Sequence, residues 1–257
     1  MSLNLDRVGA TLALIKDDPK MKNKIVSVAT DNLGDDDMKT YQSIKLQTGK
    51  FQPIGDWNRE RSVGYIVGAS GSGKSFFICE WVKEYKKKFK RNPVYLFSSL
   101  DEDESLEPIN PQRIILDNDF LNEEIDLTMY KDSCVIFDDC DTISNKKIKE
   151  RVYTLMNMML NTGRHFNITI WCVNHTATGT KMESKIILNE AHYIVYFPVN
   201  QNRQLVYMLE NYCGIDKKQM TYLKNLGSRW VCIYKHFPQV CITEKQMFLL
   251  NQLSKDD

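Results

Sequence analysis

The sequence predicts an α/β fold, a mostly parallel central sheet flanked by helices, and three observations predict it. From residue 63 onward, short apolar runs rich in Val, Ile, Tyr and Phe alternate with segments of helical periodicity. The first of these runs leads straight into a glycine-rich loop, Gly68-Ala-Ser-Gly-Ser-Gly-Lys-Ser75, and then into a helical stretch. A later run, Cys134–Phe137, ends on two aspartates, Asp138 and Asp139.

In chain order, residues 1–60 carry loop signals in series: Gly34 followed by three aspartates, then Gly49, Pro53 and Gly55, with a short amphipathic stretch near Leu12 to Lys16. They are expected to form an arm or small appendage beside a core domain of residues 61–257. The expected strands are Val63–Val67, Val94–Ser98, Cys134–Phe137, Ile168–Val173 and Tyr193–Phe197. Phe76–Phe89 reads as the helix after the glycine-rich loop. In Lys147–Leu160, Ile148, Val152, Leu155, Met156 and Met159 recur at helical spacing, so the segment is a core-facing helix, with Gly163 where a C-terminal cap belongs. Beyond residue 200, Arg203–Cys213 and Asp216–Leu226 read as helices, and Arg229–Tyr234 with Val240–Thr243 as a closing hairpin through Pro238.

A chain of 257 residues suits one large domain with its own core, and 42% hydrophobic with 26% charged residues excludes the disordered and fibrous classes. No apolar run approaches the roughly 20 residues that span a bilayer. Asp6 and Arg7 stand where a signal peptide needs an apolar segment. The expectation is an intracellular protein with no membrane requirement. The seven cysteines include no C-x-x-C pair, so they are expected to be reduced core thiols rather than a zinc or redox motif. A net charge of +1 means that polyanion binding would have to come from a local patch.

The run 68–75 fits G-x-x-x-x-G-K-[ST] between a strand and a helix. In that context Gly68, Ser70, Gly71, Ser72, Gly73 and Phe76 line the phosphate loop, whose glycines let backbone N–H groups turn inward on an anion at a helix N-terminus. Lys74 then reaches the β- and γ-phosphates, and the Ser75 hydroxyl ligates Mg²⁺. A nucleotide hydrolase also needs a carboxylate at a neighbouring strand end: Asp138 is the candidate for the metal and Asp139 for orienting or deprotonating the attacking water. An aspartate at such a place also serves as a helix cap, the reading preferred for Asp141. At the end of the fourth strand, Asn174 or His175 could bond the γ-phosphate or the lytic water. Arg164 is a candidate arginine finger toward a neighbouring subunit, or an ordinary surface arginine, and Arg203 is the second candidate.

Taken together, GASGSGKS at 68–75, VIFDDCD at 135–141, NTGRHFNITIWCVNH at 161–175 and GSRWVCIYKHFP at 227–238 resemble the FtsK/HerA superfamily of ring-forming DNA-pumping ATPases, and within it the genome-packaging ATPases of large DNA viruses and virophages. The resemblance spans about 180 residues, 62 to 243. It implies a RecA-like P-loop NTPase sheet in strand order 5-1-4-3-2, ATP with Mg²⁺, a homo-oligomeric ring, double-stranded DNA in its channel and a capsid protein as partner, in host cytoplasm and virion. Many members carry Glu as the second acidic residue and Gln at the fourth-strand end, where this chain has Asp139 and Asn174 or His175.

The rival readings are a P-loop small-molecule or nucleotide kinase and a nucleotide-binding regulatory subunit with little turnover. A GTPase would show an N-K-x-D sequence, and an ABC-type ATPase an LSGGQ-like one; neither is present. Lysines and arginines at 83, 86–88, 90 and 91, and again at 146, 147, 149 and 151, could contact DNA, although such runs are more often solvated helix faces. The polar loop 176–181 could face a channel.

Overall fold

The structure is a computed structural model that describes residues 1–30, 39–99, 103–177, 182–200 and 202–250. Two compact units divide the chain: residues 1–59 together with 192–257, and residues 60–191.

The first unit opens with β1 (Ser2–Asn4), β2 (Ala10–Lys16), β3 (Ile25–Ala29), β4 (Thr40–Tyr41), β5 (Ser43–Lys45) and β6 (Lys50–Pro53). Five of these build an antiparallel sheet in the order β4-β1-β3-β2-β6. The loop-rich arm expected for residues 1–60 is therefore a sheet. Its strands are short, β3 is buried along its whole length, and β2 carries a register shift between Thr11 and Ala13, so the period-2 alternation that marks a half-buried strand is missing.

The second unit runs β7 (Val63–Val67), α1 (Lys74–Lys88), β8 (Val94–Ser98), β9 (Gln112–Ile114), α2 (Asn118–Asn122), β10 (Cys134–Asp138), α3 (Lys146–Thr162), β11 (Thr169–Asn174) and α4 (Met182–Glu190). Its strands lie side by side in the order β7-β11-β10-β8-β9, and every neighbouring pair is parallel. All five residues of β7 and of β10 are buried, as strands covered on both faces require. Gly64 of β7 has a packing role. A Cβ there would meet the Trp171 ring at 2.3 Å, and that ring packs edge-on to Trp81 of α1 with centroids 4.9 Å apart. This seats the helix that follows the glycine-rich loop directly on its own strand and on β11.

The Lys147–Leu160 stripe is packing: Ile148, Val152, Leu155, Met156 and Met159 of α3 are all buried. The helix is N-capped by Asn145, whose side chain accepts from the N–H groups of Lys147 and Ile148. Gly163 stays right-handed (φ −59°) and continues into a single 3-10 turn, Gly163–Phe166, instead of ending the helix in a left-handed cap. The carbonyls at that end are met by a side chain: the buried Arg61 guanidinium donates to Met159 O at 2.8 Å and Leu160 O at 2.7 Å.

The remainder of the first unit comprises β12 (Tyr193–Tyr196), α5 (Arg203–Cys213), α6 (Lys217–Asn225), β13 (Val231–Tyr234), β14 (Val240–Thr243) and β15 (Gln246–Leu249). The strands continue antiparallel as β12-β13-β14-β15-β5. The hairpin through Pro238 is thus present, extended by β15 and by β5 from the N-terminal segment. All seven cysteines are free thiols and buried.

Candidate nucleotide-binding site

The site forms at the C-terminal ends of the parallel strands. After β7 the chain turns through Gly71 (φ 73°) and Gly73 (φ 106°), left-handed conformations that an L side chain adopts only with strain. Apart from Gly71 itself and its two chain neighbours, no heavy atom of the described residues lies within 4 Å of where a Cβ of Gly71 would stand. Gly73 is the N-cap of α1, with no side-chain capping bond and no acidic residue in the first helical turn. The helix therefore presents its leading N–H groups and positive dipole end to the loop with no anion of its own there. Lys74 is 6% exposed and folds back over the loop, its Nζ 3.0 Å from Gly68 O and 3.5 Å from Ala69 O. Ser75 follows it, half-buried, in the same turn, and the Phe76 ring is 57% exposed.

Two strands away, Asp138 closes β10. The residue is 2% exposed, and Oδ1 has no hydrogen-bond partner among the described residues. Burial is the largest cause pushing its pKa up to about 7; Asp139 and Asp103 add to the rise, and Lys74 and Arg113 oppose it. A buried carboxylate with one oxygen left unpartnered is expensive, and a cation is a partner that would repay it. Asp139 adopts a left-handed conformation (φ 49°), its N–H bonded to Val173 O at 2.9 Å and its carbonyl accepting from the Thr142 hydroxyl at 2.7 Å. That turn sends its side chain toward β11, where Oδ2 lies 2.8 Å from His175 Nε2. The other nitrogen of the same ring, Nδ1, is 3.1 Å from Lys74 Nζ.

No protein-family model matches the chain. An uncharacterised protein of Sputnik virophage, V3, is 37% identical to it over 201 residues, which is 78% of this chain and 81% of V3. The chain belongs to the V3 family. Among solved structures, this V3-family chain is similar to the genome packaging NTPase B204 from Sulfolobus turreted icosahedral virus 2 in complex with ATP-gammaS, with a TM-score of 0.46 and 15% identity over 72% of this chain and 97% of that one. It is also similar to the pCW3 conjugation coupling protein TcpA with ATPgS, with a TM-score of 0.45 and 11% identity over 94% of this chain and 78% of that one.

The V3-family chain brings Gly68–Phe76, Asp138, Asp139 and His175 to one place, and sets other candidates apart. Asn174 turns away: its amide points to the Tyr65 hydroxyl, 3.5 Å off, while the next residue, His175, reaches Lys74. Arg164 is exposed in the turn that precedes β11, at the opposite end of the strands, so a six-residue strand, roughly 17 Å of rise, separates it from the glycine-rich loop of its own chain. Arg203 begins α5 in the other unit and is exposed. Much of the basic charge is engaged within the chain. Lys83 pairs with Glu80 and Lys87 with Glu84, Lys86 donates to Ile109 O, Lys149 to Asp141 O and Arg151 to Glu123 O. Residues 178–181 of the polar loop lie outside the described residues.

Two residues near Asp138 escaped the sequence reading. Arg113 comes from β9, a three-residue strand, and Asp103 belongs to the acidic run 101–104; both act on Asp138 electrostatically. Three residues carry too little periodicity to announce a strand. Among the described residues, no helix is long and apolar enough to cross a membrane.

Proposed function

We propose that this chain is an ATP-driven double-stranded DNA translocase that packages a viral genome into a preformed capsid, working as a homo-oligomeric ring. The observation that carries the nucleotide half is the pairing, at one end of a parallel sheet, of an uncapped glycine-loop helix bearing Lys74 with a buried, under-partnered carboxylate, Asp138. The DNA half rests on the resemblance of the GASGSGKS, VIFDDCD and G-R-H segments to FtsK/HerA packaging ATPases.

Magnesium with ATP fits the residues present. Among the described residues no three His, Cys, Asp or Glu side chains could hold a metal together, so a cation would depend on Ser75, Asp138 and phosphate oxygens jointly, as Mg²⁺ in nucleotide sites does. When bound, the ion would neutralise charge on the β- and γ-phosphates. In this reading the N–H groups of the loop through Gly73 cradle phosphate oxygens, and Lys74 adds its charge to them. A cation beside Asp138 would favour its ionised form and so offset the burial that raises its pKa. Asp139, fixed by the Val173 and Thr142 bonds, orients the attacking water and draws on its proton. In this reading Arg164, which lies at the end of β11 opposite its own loop, acts on the γ-phosphate of a neighbouring copy.

The experiment is phosphate release from Mg·ATP by the purified chain, with Lys74→Ala as the blank and Asp139→Asn as the second arm. The reading expects turnover in the wild type, none in Lys74→Ala, and nucleotide binding without turnover in Asp139→Asn. Nucleotide bound but never hydrolysed by the wild type, at any protein concentration, would favour a regulatory subunit.

A further inference from the structure

Lys74 and Asp139 are joined through one side chain. The Lys74 ammonium carries only donors, so His175 Nδ1, at 3.1 Å, accepts from it. The ring proton therefore sits on Nε2, which donates to Asp139 Oδ2 at 2.8 Å. The contact fixes one tautomer and ties the lysine of the phosphate loop to the carboxylate at the end of β10.

The backbone on both sides of the ring is held. Before it, Asn174 pairs in register with Val67, and the Gly68 N–H donates to Asn174 O at 3.2 Å. After it, the buried Tyr65 hydroxyl lies 2.8 Å from Thr176 O and 3.2 Å from Ala177 O. Tyr65 belongs to β7, the strand that carries the phosphate loop. Asp139 is fixed in turn by its bonds to Val173 and Thr142. Of the three groups, only Lys74 sits on a long flexible stem, so the lysine is the member that can leave.

The geometry points to His175 as a positioning residue that competes with bound phosphate for Lys74 and holds Asp139 in orientation. This rests on the nucleotide reading above. A phosphate in the loop offers Lys74 a charge-assisted bond that outmatches a neutral imidazole. When the ammonium moves to it, His175 keeps its Nε2–H bond to Asp139 and its Nδ1 becomes free to accept from another donor. Occupancy of the loop is thereby relayed to the water-orienting carboxylate through a single ring. Removing the ring has two effects of opposite sign. It frees the lysine for phosphate, which tightens binding, and it leaves Asp139 without its lateral support, which slows turnover. A purely structural histidine would weaken both, and a side chain that only grips phosphate would weaken binding.

The test compares wild type, His175→Ala and His175→Gln in two assays: equilibrium binding of a fluorescent ATP analogue, and steady-state ATP hydrolysis. Gln offers a carbonyl to Lys74 and an amide N–H to Asp139, so it can replace both bonds. His175→Ala is expected to bind about fivefold tighter, the worth of one net hydrogen bond, and to turn over at least about tenfold more slowly. His175→Gln should return to within about threefold of wild type in both. Weaker binding or unimpaired turnover in His175→Ala, or no rescue by Gln, overturns the proposal. If the wild type itself binds no nucleotide, the nucleotide reading fails and this one with it. If the wild type binds and hydrolyses ATP while His175→Ala does not separate the two constants, only the role of His175 fails.

Discussion

Replacing Asp138 by Asn should stabilise the protein at neutral and alkaline pH, although it removes a candidate metal ligand. Asp138 is 2% exposed, its Oδ1 lacks a partner, and its pKa is raised from 3.8 to about 7. A raised folded-state pKa contributes stability that is fully present below the unfolded value, near pH 4, and is lost as the pH rises through about 7. About 3 pKa units at 1.36 kcal/mol each gives a penalty of about 4 kcal/mol in the wild type above pH 7. Asparagine has nearly the same shape and carries no charge, so it escapes that penalty. The assay is thermal unfolding in EDTA from pH 4.5 to 8.5. The variant should exceed wild type by only roughly 2–3 °C at pH 4.5 and by roughly 10 °C at pH 8, taking about 2–3 °C per kcal/mol for a chain of this size. Adding Mg²⁺ with a nucleotide should narrow the gap by stabilising the wild type alone. A variant no more stable than wild type at pH 8, or a difference that does not vary with pH, would refute the reasoning.

Other substitutions test other parts of the structure. Gly64→Ala drives a methyl group into the Trp171 ring and should cost about 1–3 kcal/mol by overpacking, read as a fall in Tm with intrinsic tryptophan fluorescence altered. Arg61→Ala strips the Met159 and Leu160 carbonyls of their donor and should destabilise by roughly 2–4 kcal/mol, whereas Arg61→Lys should recover part of that in denaturant titration. Arg164→Ala should leave nucleotide affinity within about twofold and lower kcat by about 10³-fold or more, a loss visible only at protein concentrations where the wild type assembles. Turnover by a strict monomer would remove Arg164 from the mechanism.

The legible parts of the sequence were those with local grammar. The left-handed turns at Gly71 and Gly73 follow from the glycines of the G-x-x-x-x-G-K-[ST] run, which marks a candidate phosphate loop because few other chemistries need such glycines ahead of a lysine at a helix start. Strands β7, β8, β10 and β11 of the second unit were legible because each is a short run rich in apolar residues, whereas β9 (QRI) is not; α3 was legible because its buried residues recur at helical spacing. The N-terminal sheet was not, since its strands are short, bulged or buried throughout and the turns between them dominate the composition. Nor could the sequence choose between Asn174 and His175. Neighbouring strand residues face opposite ways, and which one meets Lys74 depends on how β11 pairs with β7, a tertiary fact. The lysines of α1 looked like a basic face, yet their ion pairs with Glu80 and Glu84 use acids one turn away on the same helix, a spacing the sequence does contain.

The central claim is that ATP turnover at this site is coupled to duplex DNA. The direct measurement is steady-state ATP hydrolysis by the purified chain with and without linear double-stranded DNA, using Lys74→Ala as the blank. The account predicts a severalfold rise in turnover with DNA in the wild type and silence in Lys74→Ala. Hydrolysis that is abolished by Lys74→Ala but indifferent to DNA at every length and salt concentration would contradict it.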